Sequence, residues 1–221
     1  MFKRLVVLCA AFWLFGANAQ PIVYTSTQYN TVAAASAGVG ADFNADSSPA
    51  AVLPLVTSAT AFDATEFASG SGIAANGLLT TQAEASSFAG VASAVGTSEF
   101  MGAFNLGTNL QLSINMTDLD FSDAATFSSG TLFVHVTVDG TTYLDEQLSS
   151  NGLYNYSVGP STGGSYTLSL LLSSEANTSI GGNASNFASV TFDAAAVPEP
   201  STLLLCGMGL FVCIWRQRRI S

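Results

Sequence analysis

The chain has 221 residues and a formal net charge of -10, from five Lys and Arg against fifteen Asp and Glu. The bases are confined to Lys3, Arg4, Arg216, Arg218 and Arg219, so the region Gln20 to Val197 holds fourteen acids (all but Glu199), no base and a formal charge of -14. That excludes Lys or Arg ion pairs from this region and nucleic acid as a direct partner, because phosphate recognition rests on basic residues.

The first twenty residues read MFKRLVVLCAAFWLFGANAQ. A charged lead (Lys3, Arg4), an apolar stretch from Leu5 to Phe15 and the small-x-small triplet Ala17-Asn18-Ala19 are the layout of a secretory signal peptide over residues 1–19. Cleavage after Ala19 leaves Gln20 as the first mature residue and makes signal peptidase and the secretion machinery partners. Cys9 lies in this run, and Cys206 and Cys213 lie in a second apolar run near the C-terminus. The region between them therefore folds without disulfides.

Residues 20–196 read as one acidic domain. From Gln20 to about Thr60 the composition is small and polar, with two weak strands expected over Ile22 to Tyr29 and Thr31 to Val39 and interruptions at Pro49 and Pro54. Gly70-Ser71-Gly72, Asn76-Gly77 and Gly90 read as turn markers, and the Ala-rich stretch Thr81 to Ala94 is the single helix candidate. In Asn109 to Thr117, Leu110, Leu112, Ile114 and Met116 alternate with polar residues, which predicts a strand with one buried face. Tyr166, Leu168 and Leu170 repeat that pattern, and Ala188, Val190, Phe192 and Ala194 close the domain with it. Thr131 to Leu148 reads as a hairpin. A two-residue loop at Asp139-Gly140 would set Val136 opposite Tyr143 and Val134 opposite Asp145, with a carboxylate on the apolar face. A three-residue loop, Val138-Asp139-Gly140, sets Val134 opposite Leu144 and is preferred. Short strands separated by turns predict an all-β sandwich of jelly-roll or immunoglobulin-like kind.

Several constellations invite a chemical reading. Asp118, Asp120 and Asp123 follow the Leu110 to Met116 strand and read as an acidic loop, for which calcium is the natural cation because it takes carboxylate and carbonyl oxygen. The glycine and closing glutamate of an EF-hand loop are missing there. Tyr143, Tyr154, Tyr156 and Tyr166 form a candidate stacking platform for sugar rings. His135, the one histidine, falls on the non-core face of its strand with Phe133 and Thr137, and no cysteine or lysine in the domain partners it. Gly159-Pro160-Ser161-Thr162-Gly163 matches the Gly-x-Ser-x-Gly nucleophile elbow in letters, but the elbow needs a helix after the serine and here a strand follows. The domain accordingly reads as a non-enzyme without a required cofactor.

The C-terminal stretch, residues 197–221, reads VPEPSTLLLCGMGLFVCIWRQRRIS. As a helix, Ser201 to Trp215 would span about 22 Å at about 1.5 Å per residue, a marginal fit to a hydrocarbon core of about 30 Å. Arg216, Arg218 and Arg219 place that end on the cytoplasmic side and leave the acidic domain outside. Pro198 and Pro200 keep the backbone before the run extended. The order Pro198-Glu199-Pro200-Ser201-Thr202, glycine-interrupted apolar run and arginines resembles the PEP-CTERM sorting signal of Gram-negative bacteria. The resemblance implies an exosortase-type membrane enzyme that grips Pro198-Glu199-Pro200, transient anchoring in the inner membrane, and delivery to the cell surface or extracellular space of exopolysaccharide-making, biofilm-forming cells. The expected function is that of an exported surface or extracellular-matrix protein with a structural or adhesive role. The alternative is a carbohydrate-binding module that retains extracellular polysaccharide, with calcium assisting.

Overall fold

The computed structural model describes residues 20–49, 54–123 and 126–197. The signal peptide expected over 1–19 and the motif, apolar run and arginines of 198–221 lie outside the described residues.

Among the described residues there are thirteen strands and no helix. They are β1 (Gln20–Pro21), β2 (Ser26–Ala37), β3 (Gly40–Ser48), β4 (Leu55–Phe62), β5 (Glu66–Ala75), β6 (Leu78–Ser87), β7 (Ala92–Leu106), β8 (Leu110–Ser122), β9 (Thr126–Val138), β10 (Thr141–Leu148), β11 (Gly152–Val158), β12 (Gly164–Thr178) and β13 (Gly182–Ala196). One sheet runs β11-β8-β13-β6-β5-β4, with β1 added to β13; the other runs β10-β9-β12-β7-β2-β3. Pairing is antiparallel throughout both sheets.

The two sheets bury their facing sides against each other, and the interior has two parts of different character. Leu110, Leu112, Ile114 and Met116 of β8 share one cluster with Leu168, Leu170 and Leu172 of β12 and with Phe100, Phe104 and Tyr166. Burying side chains of this size contributes roughly 1.5–3 kcal/mol each. The second cluster is made of alanines only, among them Ala33, Ala35, Ala59, Ala68, Ala83, Ala94, Ala176 and Ala184. There the sheets come into near backbone contact. A Cβ at Gly70 of β5 would collide with the Val95 carbonyl oxygen of β7, and one at Gly96 of β7 would collide with the Ser71 carbonyl oxygen of β5. Two polar ties cross the same gap: Thr81 Oγ1 to Ser174 Oγ at 2.6 Å, and Ser98 Oγ donating to the Thr80 carbonyl at 2.7 Å.

This thin half of the sandwich corrects three expectations. Gly70-Ser71-Gly72 lies inside β5 and makes no turn, because its missing side chains let β7 approach. Thr81 to Ala94 forms the end of β6, a bend and the start of β7, since alternate alanines there fill the narrow gap between sheets. Alanine's helix preference, worth only tenths of a kcal/mol per residue, yields to that packing. The two weak N-terminal strands are the single strand β2, from Ser26 to Ala37, turning at Gly38 and Val39.

The hairpin is also corrected. Its loop is the two-residue Asp139-Gly140, both residues left-handed at φ 49° and 77°, with Thr141 opposite Val138. The register then shifts by one between Thr142 and Leu144, a bulge at Tyr143. Beyond it Val136 faces Leu144, an apolar pair that the two-residue loop alone would not give, while the exposed Glu146 stands opposite Val134.

Candidate functional site

The two ends of the domain meet. Gln20 of β1 pairs with Ala196 of β13 and Pro21 with Ala195, while the Val197 N–H donates to the Asn109 carbonyl at 3.1 Å. Chain entry and exit therefore share one end of the sandwich, its basal end. The opposite, distal end is formed by the connections at Gly38-Val39, Asp63–Thr65, Phe88–Val91 and Ser179–Gly181, where β2, β7, β12 and β9 all terminate in register. Large apolar side chains stand exposed there, with Val39 97 % exposed, Phe62 75 %, Phe88 74 % and Ile180 70 %.

The carboxylates expected in a loop also lie toward the distal end, but in another arrangement. β8 runs on to Ser122, so Asp118 and Asp120 are strand residues and only Asp123 lies beyond it. The correction has a simple cause: both aspartates continue the inward phase of Leu112, Ile114 and Met116. Asp118 is buried, and Asp120 lies at the exposed end of the strand. On the neighbouring strand Asn186, 1 % exposed, donates through Nδ2 to Asp118 Oδ1 at 2.6 Å and to Asp120 Oδ1 at 2.5 Å. Asn186 Oδ1 is buried without a partner. The backbone N–H of Asp118 donates to Asn151 Oδ1, and the Gly130 N–H of the opposite sheet donates to the Asp118 carboxylate. Burial holds the Asp118 carboxyl above the ordinary aspartate value; the Asn186 hydrogen bond pulls it back, and the like charge of Asp120 raises it further. Asp123 is not part of this group: its Oδ2 accepts from the Asn183 N–H at 3.2 Å and from Asn183 Nδ2 at 3.5 Å. Among the described residues no three His, Cys, Asp or Glu side chains gather as metal ligands.

Asn186 went unread in the sequence. The signal was there, since an amide occupies the inward phase set by Ala184, Ala188 and Val190, where a polar group needs a buried partner.

The tyrosines do not form one platform. Tyr166 is fully buried, stacks on Phe104 with ring centroids 5.5 Å apart, and donates to the Thr108 carbonyl at 2.9 Å. Tyr154 and Tyr156 turn inward from β11 and pack against the large core cluster. Tyr143 alone is exposed, on the bulge of edge strand β10. A different aromatic surface lies on the outer face of the β8-β13-β6 sheet. Register sets Phe187 between Leu119 and Gln82, and Ser185 between Phe121 and Glu84. These residues line an open depression in which Gln82 Nε2 donates to Glu84 Oε1 at 2.6 Å.

His135 faces outward, as its strand phase required, with Nδ1 3.5 Å from Asp145 Oδ1 and with Ser169 opposite on β12. The row Asp145–His135–Ser169 lies within paired strands, where backbone N–H groups of β9 and β12 serve the ladder and offer no oxyanion hole. Ser161 sits in a tight connection closed by the Gly163 N–H donating to the Pro160 carbonyl at 3.0 Å, between strands β11 and β12. A strand follows that serine, as expected, and an elbow does not form.

Comparison with known proteins speaks mainly to the C-terminus. No curated protein matches the chain by sequence. Among solved structures, a carbohydrate-binding module, TmCBM61 in complex with beta-1,4-galactotriose, aligns at a TM-score of 0.26 and 10 % identity, covering 60 % of this chain and 89 % of its own. The structure of infectious bursal disease virus, Gx strain, aligns at a TM-score of 0.14 and 11 % identity, covering 86 % of this chain and 69 % of its own. Overlaps this poor carry no argument about fold or ligand. Residues 196–219 match the PEP-CTERM protein-sorting motif, which indicates export, membrane-associated sorting and processing by an exosortase-type enzyme. The match begins at Ala196, the residue paired with Gln20, so the chain carries a PEP-CTERM sorting motif that starts on the final residue of the last strand of its sandwich.

Proposed function

We propose that the chain is an exported protein whose acidic sandwich is delivered to the cell surface or extracellular matrix and acts there as a non-enzymatic structural or adhesive module. The observation that carries this reading is the pairing of Gln20 with Ala196. It puts the expected signal-peptidase cut and the sorting motif on one end of the domain. The distal end, with its exposed Val39, Phe62, Phe88 and Ile180, then faces away from the membrane. Large apolar side chains exposed together at one end of a domain support its reading as a contact surface. The non-enzymatic part of the reading is supported by the ladder-bound surroundings of His135 and Ser169. Cell fractionation with an antibody to the sandwich tests the proposal. The natural chain is expected in the surface or medium fraction, and a chain with Pro198 and Pro200 replaced by Ala in the inner-membrane fraction; equal export of both would overturn it.

Retention of extracellular polysaccharide is a second reading, favoured by the depression where Phe121 and Phe187 flank Gln82, Glu84 and Ser185. Apolar ring faces beside polar side chains match the two-faced chemistry of a sugar. A pull-down on the producing cell's polysaccharide is expected to retain the natural chain and to lose Phe187→Ser; retention of both equally would remove this reading.

A further inference from the structure

We propose that Asp118, Asp120 and Asn186 form a binding site for one hard divalent cation, with calcium the fitting ion, at the distal end of the sandwich between β8, β13 and β9. Three facts converge on the same few ångströms. Two carboxylates approach a single amide nitrogen to 2.6 and 2.5 Å, so their oxygens crowd around one point. No Lys or Arg exists between residues 5 and 215 to neutralise them. The amide itself, 1 % exposed, has an oxygen with no hydrogen-bond partner.

An orphaned buried acceptor in a native site calls for a physical account. A half-turn of the Asn186 amide exchanges its two ends and presents Oδ1 to the carboxylates in place of Nδ2. Nearly the same side-chain positions then offer three oxygens, two of them charged, to a cation. Calcium accepts six to eight oxygens in adaptable geometry and completes its shell with water. Asp120, on the exposed end of β8, leaves an open side for that water and for entry of the ion. Transition metals that prefer nitrogen or sulfur find neither here. Asp123 is excluded because it is committed to Asn183. The site therefore differs from the acidic loop expected from the sequence: it uses the two in-phase aspartates and an amide from the adjacent strand.

The test is isothermal titration of calcium chloride into the full chain, stripped with a chelator and desalted, with thermal unfolding of the same samples. One equivalent is expected to bind saturably and to raise the Tm through selective binding to the native state. Asp120→Asn removes a charge from the exposed end of the strand at little risk to folding, and Asn186→Ser removes the amide oxygen. Each is expected to weaken binding by roughly tenfold or more, a loss typical of removing a group that holds a metal site together. Asp123→Asn is expected to bind as the natural chain does. The proposal is overturned if no saturable binding is seen, if Asp123→Asn weakens binding as much as Asp120→Asn does, or if sodium chloride of equal ionic strength raises the Tm by the same amount.

Discussion

Gln20 and Ala196 are backbone partners at the basal end of the sandwich, one the expected first mature residue and the other the first residue of the sorting motif. A domain whose ends are tied in this way completes its sheet at Ala196, ahead of the Pro-Glu-Pro of the motif. Replacing Pro198, Glu199 and Pro200 together by Ala is therefore expected to leave the urea midpoint of the sandwich unchanged, within the roughly 0.5 kcal/mol typical of substitutions outside packed regions. Equilibrium unfolding of the natural and substituted chains checks this. A clear fall in midpoint would show that the motif is part of the fold as well as an address.

The two halves of the core should be sensitive to opposite changes in side-chain volume. Leu112→Ala removes a fully buried side chain from the large cluster and is expected to destabilise by about 2–5 kcal/mol through lost burial and a cavity. Gly96→Ala adds a single methyl group, yet it meets the Ser71 and Gln82 carbonyls of the opposite sheet and is expected to destabilise by about 1–3 kcal/mol through overpacking. Urea unfolding measures both. Neutral or stabilising behaviour of Gly96→Ala would show that the sheets are further apart than the structure has them.

Acidity should stabilise the cation-free protein. The Asp118 carboxyl is raised above its ordinary value, chiefly by burial, so the folded state binds its proton more tightly than the unfolded state. The stabilisation is then fully present below the ordinary aspartate range, about 3.9, and is lost as pH rises through the higher folded value. Fourteen carboxylates without a counter-charge act in the same direction, and added salt screens their repulsion at neutral pH. In chelator, urea midpoints are expected to rise as pH falls from neutral toward the carboxylate range, and Asp118→Asn is expected to flatten the curve. A midpoint that falls over that interval would show that carboxylates held in hydrogen bonds, such as Asp42 to the Thr60 N–H, outweigh both effects.

Legibility of the fold followed side-chain contrast. Leu110 to Met116 against Gln111, Ser113 and Asn115 is a pattern only a half-buried strand produces, and the strand is there. The same logic, carried two inward-facing positions further, places Asp118 and Asp120 in the strand. It was masked because carboxylates in sequence look like a solvated loop, and their partner Asn186 lies 68 and 66 residues away. Ala33, Ala59, Ala83 and Ala94 alternate as faithfully, but alanine beside serine and threonine offers little contrast in hydrophobicity, so the thin half could not be told from turn or helix. That Gly70 and Gly96 serve close contact rather than a turn depends on the opposite sheet, which no local pattern reports. The bulge at Tyr143 is equally silent, since either loop length alone would have satisfied part of the hairpin's pattern. Tyr166 belonged to a core alternation already visible with Leu168 and Leu170, and that phase, more than its aromatic ring, told where it would sit.

Export and sorting as proposed require both cuts to fall at the basal end, one before Gln20 and one at the sorting motif that begins at Ala196. Intact-mass and terminal-peptide mass spectrometry of the protein recovered from the cell surface and medium tests this requirement most directly. The predicted product starts at Gln20, ends near Pro198 to Pro200 and lacks Arg216, Arg218 and Arg219. Recovery of exported protein that still carries Arg216 to Arg219 would contradict the account.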